Sequence, residues 1–453
     1  MSATSISEVK VSAQKENRPS LALVSLGCAK NAADLEVIAG NMVKEGWVFS
    51  PDPNSADTVI INTCAFIASA REEAESEIRR ALSLKRKGAF SRVVVTGCYP
   101  QRYPEAVSKF PGVDEWRGVP KKWVEPHLPA LRFTGKAFAY LKIAEGCNHR
   151  CTYCAIPSIR GKYRSRPIES ILREAQALIQ TGCREINIVA QDPMLWKNSG
   201  YRLVDLLEAI DSIKGDFWVR VLYSYPSEID SAFLDWMVSS PHAVRYIDMP
   251  VQHTVAEVLE KMNRASTIDA AVLLPDIVRS LVPGVTLRTT VLTGFPGETP
   301  LRFKKLLSDL RRLQFAHLGF PGETEARFRR LLADLRRMQF DHLGAFAYSP
   351  EKGTKGAEMS SRPSRQEALE RERLVMEQQK AIWECRSKKL VGSKFKALVV
   401  APGVARMESQ APDVDGVTFV KDALAEDVGS FIDVKIVRRK GFDFVGERVV
   451  RGK

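Results

Sequence analysis

The sequence predicts an α/β protein in three parts: an N-terminal doubly wound α/β domain, a central partial (β/α)6 barrel and a small antiparallel β-barrel at the C-terminus. Three observations carry that prediction. Short β-branched runs alternate with amphipathic stretches over most of the chain, the pattern of parallel sheets. After Lys389 the runs become short and are broken by Gly and Pro, as in small all-β domains. The 453 residues are too many for one core at about 150 residues per domain.

The elements follow in order. Leu21 to Gly27, Thr58 to Thr63 and Arg92 to Gly97 read as buried parallel strands, with helical patterns at Ala33 to Glu45 and Ala65 to Leu84. A second alternation places strands at Tyr140 to Ala144, Ile186 to Ala190, Trp218 to Tyr223, Tyr246 to Val251, Thr286 to Thr293 and His342 to Tyr348. Right-handed crossovers would bring these six into an open barrel whose chemistry lies at the strands' C-terminal ends. A charged helix, Arg365 to Lys389, leads to strand-like runs at Phe395 to Val400, Val417 to Val420 and Ile432 to Val437. The expected boundaries are a loose tail at 1–20, a first domain at 21–132, the barrel at 133–389 and the last domain at 390–453.

Composition narrows the class. Hydrophobic content of 45% and charged content of 27% are those of globular proteins and exclude disordered or fibrous chains. No apolar run reaches the roughly 18 residues of a membrane span, so no membrane association is expected. Glu8 and Glu16 weigh against a transit peptide, and the cytoplasm is the expected compartment. The net charge of +13 fits either a nucleic-acid partner or a general solubility charge. Eight cysteines in a long chain without a secretory signal argue for metal or redox chemistry rather than disulfides.

Cys147, Cys151 and Cys154 form CNHRCTYC directly after a strand at the proposed barrel mouth. Three thiolates on an iron-sulfur cubane leave one iron open to an external ligand. Zinc, with His149 or a distant residue completing a tetrahedral set, is the alternative, although the spacing is unlike paired zinc knuckles. Cys28, Cys64 and Cys98 lie far apart in sequence, yet each follows a predicted strand, in SLGC, INTC and VTGC. Parallel strands end on one sheet edge, where ligands bind. These three cysteines are therefore expected to converge into a second three-cysteine cluster. Cys183 and Cys385 fall in helical patterns and are expected to be structural.

From Leu21 to Glu447 the chain resembles the radical-SAM methylthiotransferase family. SLGCAKN, INTCAFIASAREE, LKIAEGCNHRCTYCAIPSIRGKYRSRP and APDVDG resemble its RimO branch rather than its tRNA-modifying branch. The resemblance implies an N-terminal methylthiotransferase domain, a radical-SAM barrel and a TRAM domain. It implies two [4Fe-4S] clusters, with S-adenosyl-L-methionine chelated at the Cys147, Cys151 and Cys154 cluster and cleaved to a 5′-deoxyadenosyl radical. The substrate implied is an aspartate β-carbon on small-subunit ribosomal protein twelve. Sulfur would come from the Cys28, Cys64 and Cys98 cluster, methyl from a second S-adenosylmethionine, and electrons from a flavodoxin or ferredoxin. By the same analogy Tyr153 would contact the adenine, and Gln191, Asp192 and Arg220 the methionine end or the ribose. Residues 390–453 hold eleven Lys plus Arg against nine Asp plus Glu, a net of +2, which suits a protein target better than RNA. The rival readings are tRNA adenosine methylthiolation and an inactive metal-containing RNA-binding module.

One feature departs from the pattern. GFPGETPLRFKKLLSDLRRLQFAHL at Gly294 to Leu318 is repeated as GFPGETEARFRRLLADLRRMQFDHL at Gly319 to Leu343, identical at 18 of 25 positions. Two copies are too few for a solenoid, so a local duplication is read here, supplying two helices where the barrel needs one. Gly294 to Glu298 resembles a cofactor-facing turn, and its copy at Gly319 to Glu323 leaves open which one serves.

Overall fold

The computed structural model describes residues 18–120, 125–126, 132, 135–311, 340–360 and 362–449. The chain divides into two compact units: Met1–Thr134 with Tyr140–Asn148 and Cys154–Leu178, and Gly135–Ala139 with His149–Tyr153 and Ile179–Lys453.

The first unit opens with β1 (Ser20–Ser25), α1 (Ala29–Lys44), β2 (Val48–Phe49), β3 (Thr58–Thr63), α2 (Ala68–Arg86), β4 (Arg92–Gly97), α3 (Cys98–Arg102) and β5 (Glu115–Arg117). They form a parallel sheet in the order β2-β1-β3-β4-β5. Ile61 stands opposite Val24 on one side and Val95 on the other. All six residues of β3 are buried, because helices cover both faces and an alternating polar face has no place. Ile61, Val93 and Val95 pack with Ala74 and Ile78 of α2, while Ile60 and Val94 pack with Leu35 of α1. Truncating a residue such as Ile61 to alanine costs about 2–5 kcal/mol. Later in the chain β6 (Phe138–Lys142) begins in the second unit and ends in the first. β7 (Ala144–Glu145), α4 (Ile156–Arg160) and β8 (Arg164–Ser165) belong to the first unit, as does most of α5 (Ile168–Gln180).

In the second unit β9 (Glu185–Val189), the short hairpin β10 (Lys197–Asn198) and β11 (Tyr201–Arg202), α6 (Leu203–Asp211), β12 (Trp218–Val221), α7 (Ser231–Ser239), β13 (Tyr246–Asp248), α8 (Ala256–Lys261), α9 (Ile268–Leu281), β14 (Thr286–Thr293), α10 (Pro300–Arg311) and β15 (His342–Ala347) follow. Their strands hydrogen-bond as two three-stranded sheets, β12-β9-β6 and β13-β14-β15, with a parallel bridge between Val219 and Ala243 beside the seam. All six expected barrel strands are present.

The helix Arg365–Lys388 begins at a capping box, in which Glu367 N–H donates to Ser364 Oγ at 3.2 Å and Ser364 N–H to Glu367 Oε2 at 2.8 Å. Its Trp383 enters the core of the final barrel. That barrel closes as β16 (Lys394–Ala401), β17 (Val404–Met407), β18 (Thr418–Val420), β20 (Asp443–Arg448) and β19 (Phe431–Lys440). It is not wholly antiparallel: β18 and β20 run parallel.

Most of the duplication, residues 312–339, lies outside the described residues. The first copy supplies the turn after β14 and helix α10, and the last residues of the second copy enter β15. Cys183, expected in a helix, lies instead in the turn after α5, where its Sγ–H donates to the Glu185 carbonyl at 3.2 Å. Cys385 is on the exposed side of the long helix.

Candidate functional site

The three early cysteines stand where parallel strands end. Cys28 caps α1 after β1, Cys64 follows β3 directly, and Cys98 is the first residue of α3 after β4. Their approach demands glycine at two positions. Gly27 has φ +100°, and a Cβ there would lie 2.7 Å from Cys64 Cβ and 3.3 Å from Cys64 Sγ. Gly97 has φ +97°, and a Cβ there would meet Asn62 Oδ1 at 2.2 Å and the Thr63 carbonyl at 2.7 Å.

Asn31 joins the cysteines, and sequence reasoning did not single it out. Its amide nitrogen donates to the carbonyls of Leu26 at 3.0 Å and Thr63 at 3.1 Å, bridging two strand ends. Its Oδ1 lies 3.8 Å from Cys98 Sγ and 4.0 Å from Cys28 Sγ. The same oxygen accepts from Arg160 at 2.6 Å. Arg160 is 4% exposed, and its other terminal nitrogen donates to Asp34 Oδ2 at 3.0 Å and to both Glu145 oxygens at 3.0 Å. Lys142 also contacts Asp34 and Glu145. Two cations and two carboxylates therefore balance in the interior beside the thiols, which buried charges require.

Burial pushes the Cys98 thiol up to about 12, against the pull of Arg160. Burial also raises Cys64, opposed by the backbone N–H of Phe66. Metal loading would release such protons, since the ligand is the thiolate. Among the described residues no three His, Cys, Asp or Glu side chains are gathered tightly enough to grip a single ion. A cubane spreads its thiolates over separate irons, and three cysteines at one sheet edge, Cys98 buried and Cys28 and Cys64 partly exposed, beside a guanidinium suit that polynuclear, anionic group.

Cys147, Cys151 and Cys154 share the loop between β7 and α4. In the first unit Cys147 N–H donates to the Gly161 carbonyl at 3.1 Å. In the second unit the neighbours of Cys151 are anchored. Thr152 N–H donates to the Met262 carbonyl at 3.0 Å, the Thr152 carbonyl accepts from Gly356 N–H at 2.6 Å, and Asn263 donates to the Arg150 carbonyl at 3.0 Å. His149 shares a 2.6 Å hydrogen bond with Asp192 and stacks on Tyr225 with ring centroids 3.9 Å apart. Its ring is thus engaged by Asp192. Arg264, 3% exposed, donates to the Tyr153 hydroxyl at 3.2 Å and lies 4.2 Å over the Tyr225 ring.

The remaining expected residues divide. Gln191 and Asp192 follow β9 at its C-terminal end, and Asp192 also caps the next turn by accepting from Met194 N–H at 3.1 Å. Tyr153 meets Phe295 edge-on at 6.3 Å. Arg220 is corrected: it is fully buried, donates to Glu185 at 2.8 Å and to the Glu408 carbonyl at 2.8 Å, and lies 4.6 Å over the Tyr246 ring. Glu185 also binds Arg406 of the final barrel, so Arg220 fastens that barrel to the strands instead of facing a small ligand. The first copy's Glu298 is equally committed, accepting from Arg371 at 2.9 Å and bonding His253 at 3.3 Å.

Three family models match the chain: uncharacterized protein family UPF0004 over residues 20–118, the radical SAM superfamily over 141–310 and a TRAM domain over 391–449. A ribosomal protein uS12 methylthiotransferase RimO from Elusimicrobium minutum is 36% identical over 447 residues, covering 94% of this chain and 98% of that protein. One of the same name from Moorella thermoacetica is 36% identical over 455 residues, covering 94% and 99%. Among solved structures, the radical S-adenosylmethionine methyltransferase TsrM from Kitasatospora setae, with cobalamin and a [4Fe-4S] cluster bound, has a TM-score of 0.50 at 16% identity, covering 76% of this chain and 78% of that one; it supports the fold alone.

A parallel partial barrel with three cysteines on the loop after its first strand defines a radical S-adenosylmethionine enzyme. The chain belongs to the radical-SAM methylthiotransferase family, in its RimO branch. Among the described residues no helix is long and apolar enough to cross a membrane.

Proposed function

We propose that the protein adds a methylthio group to the β-carbon of an aspartate on ribosomal protein uS12, the protein for which its relatives are named. One [4Fe-4S] cluster would be held by Cys147, Cys151 and Cys154, and a second by Cys28, Cys64 and Cys98. The observation that carries the two-cluster reading is that three sequence-distant cysteines stand at one sheet edge, two of them within 4.0 Å of the Asn31 oxygen and the third against Gly27. When bound, the clusters and S-adenosylmethionine supply hydrogen abstraction from an unactivated carbon, sulfur and a methyl group.

The chain's own residues bind and orient. The three-cysteine loop would hold a cluster through three thiolates, and the methionine end of the cofactor would supply a further ligand. Asp192 fixes His149 and with it the stretch between Cys147 and Cys151. Arg264 holds the Tyr153 hydroxyl and so fixes the ring proposed to contact the adenine. Gln191, just past the end of β9, would supply an amide to the ribose or the methionine. Electrons would come from a flavodoxin or ferredoxin, and a cytoplasmic setting would keep the eight cysteines reduced.

The test is anaerobic reconstitution, then incubation with S-adenosylmethionine, sulfide, reductant and a peptide carrying the uS12 aspartate loop. A mass gain of one methylthio group on that aspartate is expected. Formation of 5′-deoxyadenosine without that gain would contradict the substrate, and absence of both products would contradict the activity.

A further inference from the structure

Beyond the cysteines, the N-terminal site carries a buried charge that the proposed reaction leaves unused. Arg160 lies on α4, 126 residues from Asp34 and 129 from Asn31, yet it bonds both. One arm is held by the carboxylates of Asp34 and Glu145, and the other is aimed at the Asn31 oxygen, which lies within 4.0 Å of two of the three thiols. Arg160 is not a ligand, and its terminal nitrogens are occupied by these partners. It can act through Asn31, through its own closeness to the Cys98 thiol, and through its field.

We infer that Arg160 is a positioning residue that tunes the cluster on Cys28, Cys64 and Cys98, holding Asn31 against the cysteines and stabilising the reduced, more negative form. This rests on the reading that these cysteines hold a cluster. The physical reason is that reduction adds negative charge, a fixed cation a few ångströms away favours it, and the buried setting screens the attraction weakly. Burial and hydrogen bonding around a cluster are general determinants of its potential. The nearby anion makes the idea testable in both directions: Asp34 should oppose reduction as Arg160 favours it.

The experiment uses the full chain with Cys147→Ala, Cys151→Ala and Cys154→Ala, so that one cluster alone is read. Iron and sulfide are measured first, then the reduction potential by spectroscopic titration. Absence of iron from this background would overturn the reading of the N-terminal site itself. With iron present, Arg160→Gln should move the potential to more negative values, Asp34→Asn should move it to more positive values, and Arg160→Lys should stay near the parent. A purely structural role would perturb both neutralising variants alike or neither. Unchanged potentials, or shifts of the same sign in Arg160→Gln and Asp34→Asn, would overturn the inference. If Arg160→Gln proves insoluble, the sign of the Asp34→Asn shift decides alone.

Discussion

The two cysteine triads are built in opposite ways. Cys28, Cys64 and Cys98 come from three strand ends and meet only when β1, β3 and β4 are in register. Cys147, Cys151 and Cys154 sit on one loop, where chain connectivity alone keeps them near one another. The first site is a property of the sheet and fails when the sheet is disturbed. The second is local, and its anchors are individual hydrogen bonds such as Cys147 to Gly161 and Thr152 to Met262. The difference teaches where each site is vulnerable.

The largest effect is expected from Gly97→Val. Left-handed backbone and a Cβ 2.2 Å from Asn62 Oδ1 together cost about 3 kcal/mol or more. Thermal denaturation should show a lowered midpoint, and reconstituted protein should lose the iron of the sheet-edge site before that of the loop. Equal loss from both sites would break the contrast. Asn31→Leu should cost about 1–3 kcal/mol, because the Leu26 and Thr63 carbonyls and one arm of Arg160 lose their partner. Its iron loss should also fall on the early cysteines.

Ser364→Ala removes a helix cap remote in sequence from either triad and should cost about 1 kcal/mol with iron content unchanged. The smallest effect is expected from deleting residues 312–336, one repeat length. The first copy's turn and α10 would then run into the second copy's entry to β15, as a single-copy chain would. Soluble protein with an unchanged melting midpoint is the expected result; insolubility would make the second copy structural.

Much of this was legible before the structure. Thr58 to Thr63 and Arg92 to Gly97 were readable to the residue because strands buried on both faces are continuous β-branched runs. The cysteine positions followed from the rule that parallel strands end on one edge. β2 and β5 have two and three residues and leave no periodic signal. β20, DFVGER, hides behind a glycine and three charges. Asn31 stood in plain view in SLGCAKN, three residues after Cys28 in the first turn of α1, but its role depends on Thr63 and Arg160, which only tertiary structure brings to it. Arg220 was misread for a related reason. Strand position was legible, but its side chain meets Glu185 and the Glu408 carbonyl, partners 35 and 188 residues away.

The most direct test of the two-site account compares two triple variants under anaerobic reconstitution, measuring iron, 5′-deoxyadenosine and the methylthio product together. Replacing Cys28, Cys64 and Cys98 by alanine should leave about half the iron and sustained 5′-deoxyadenosine formation, with no methylthio product. Replacing Cys147, Cys151 and Cys154 should leave about half the iron and abolish both products, four irons per cubane being lost in each case. Loss of all iron from either variant, or methylthio product from the first, would contradict the account.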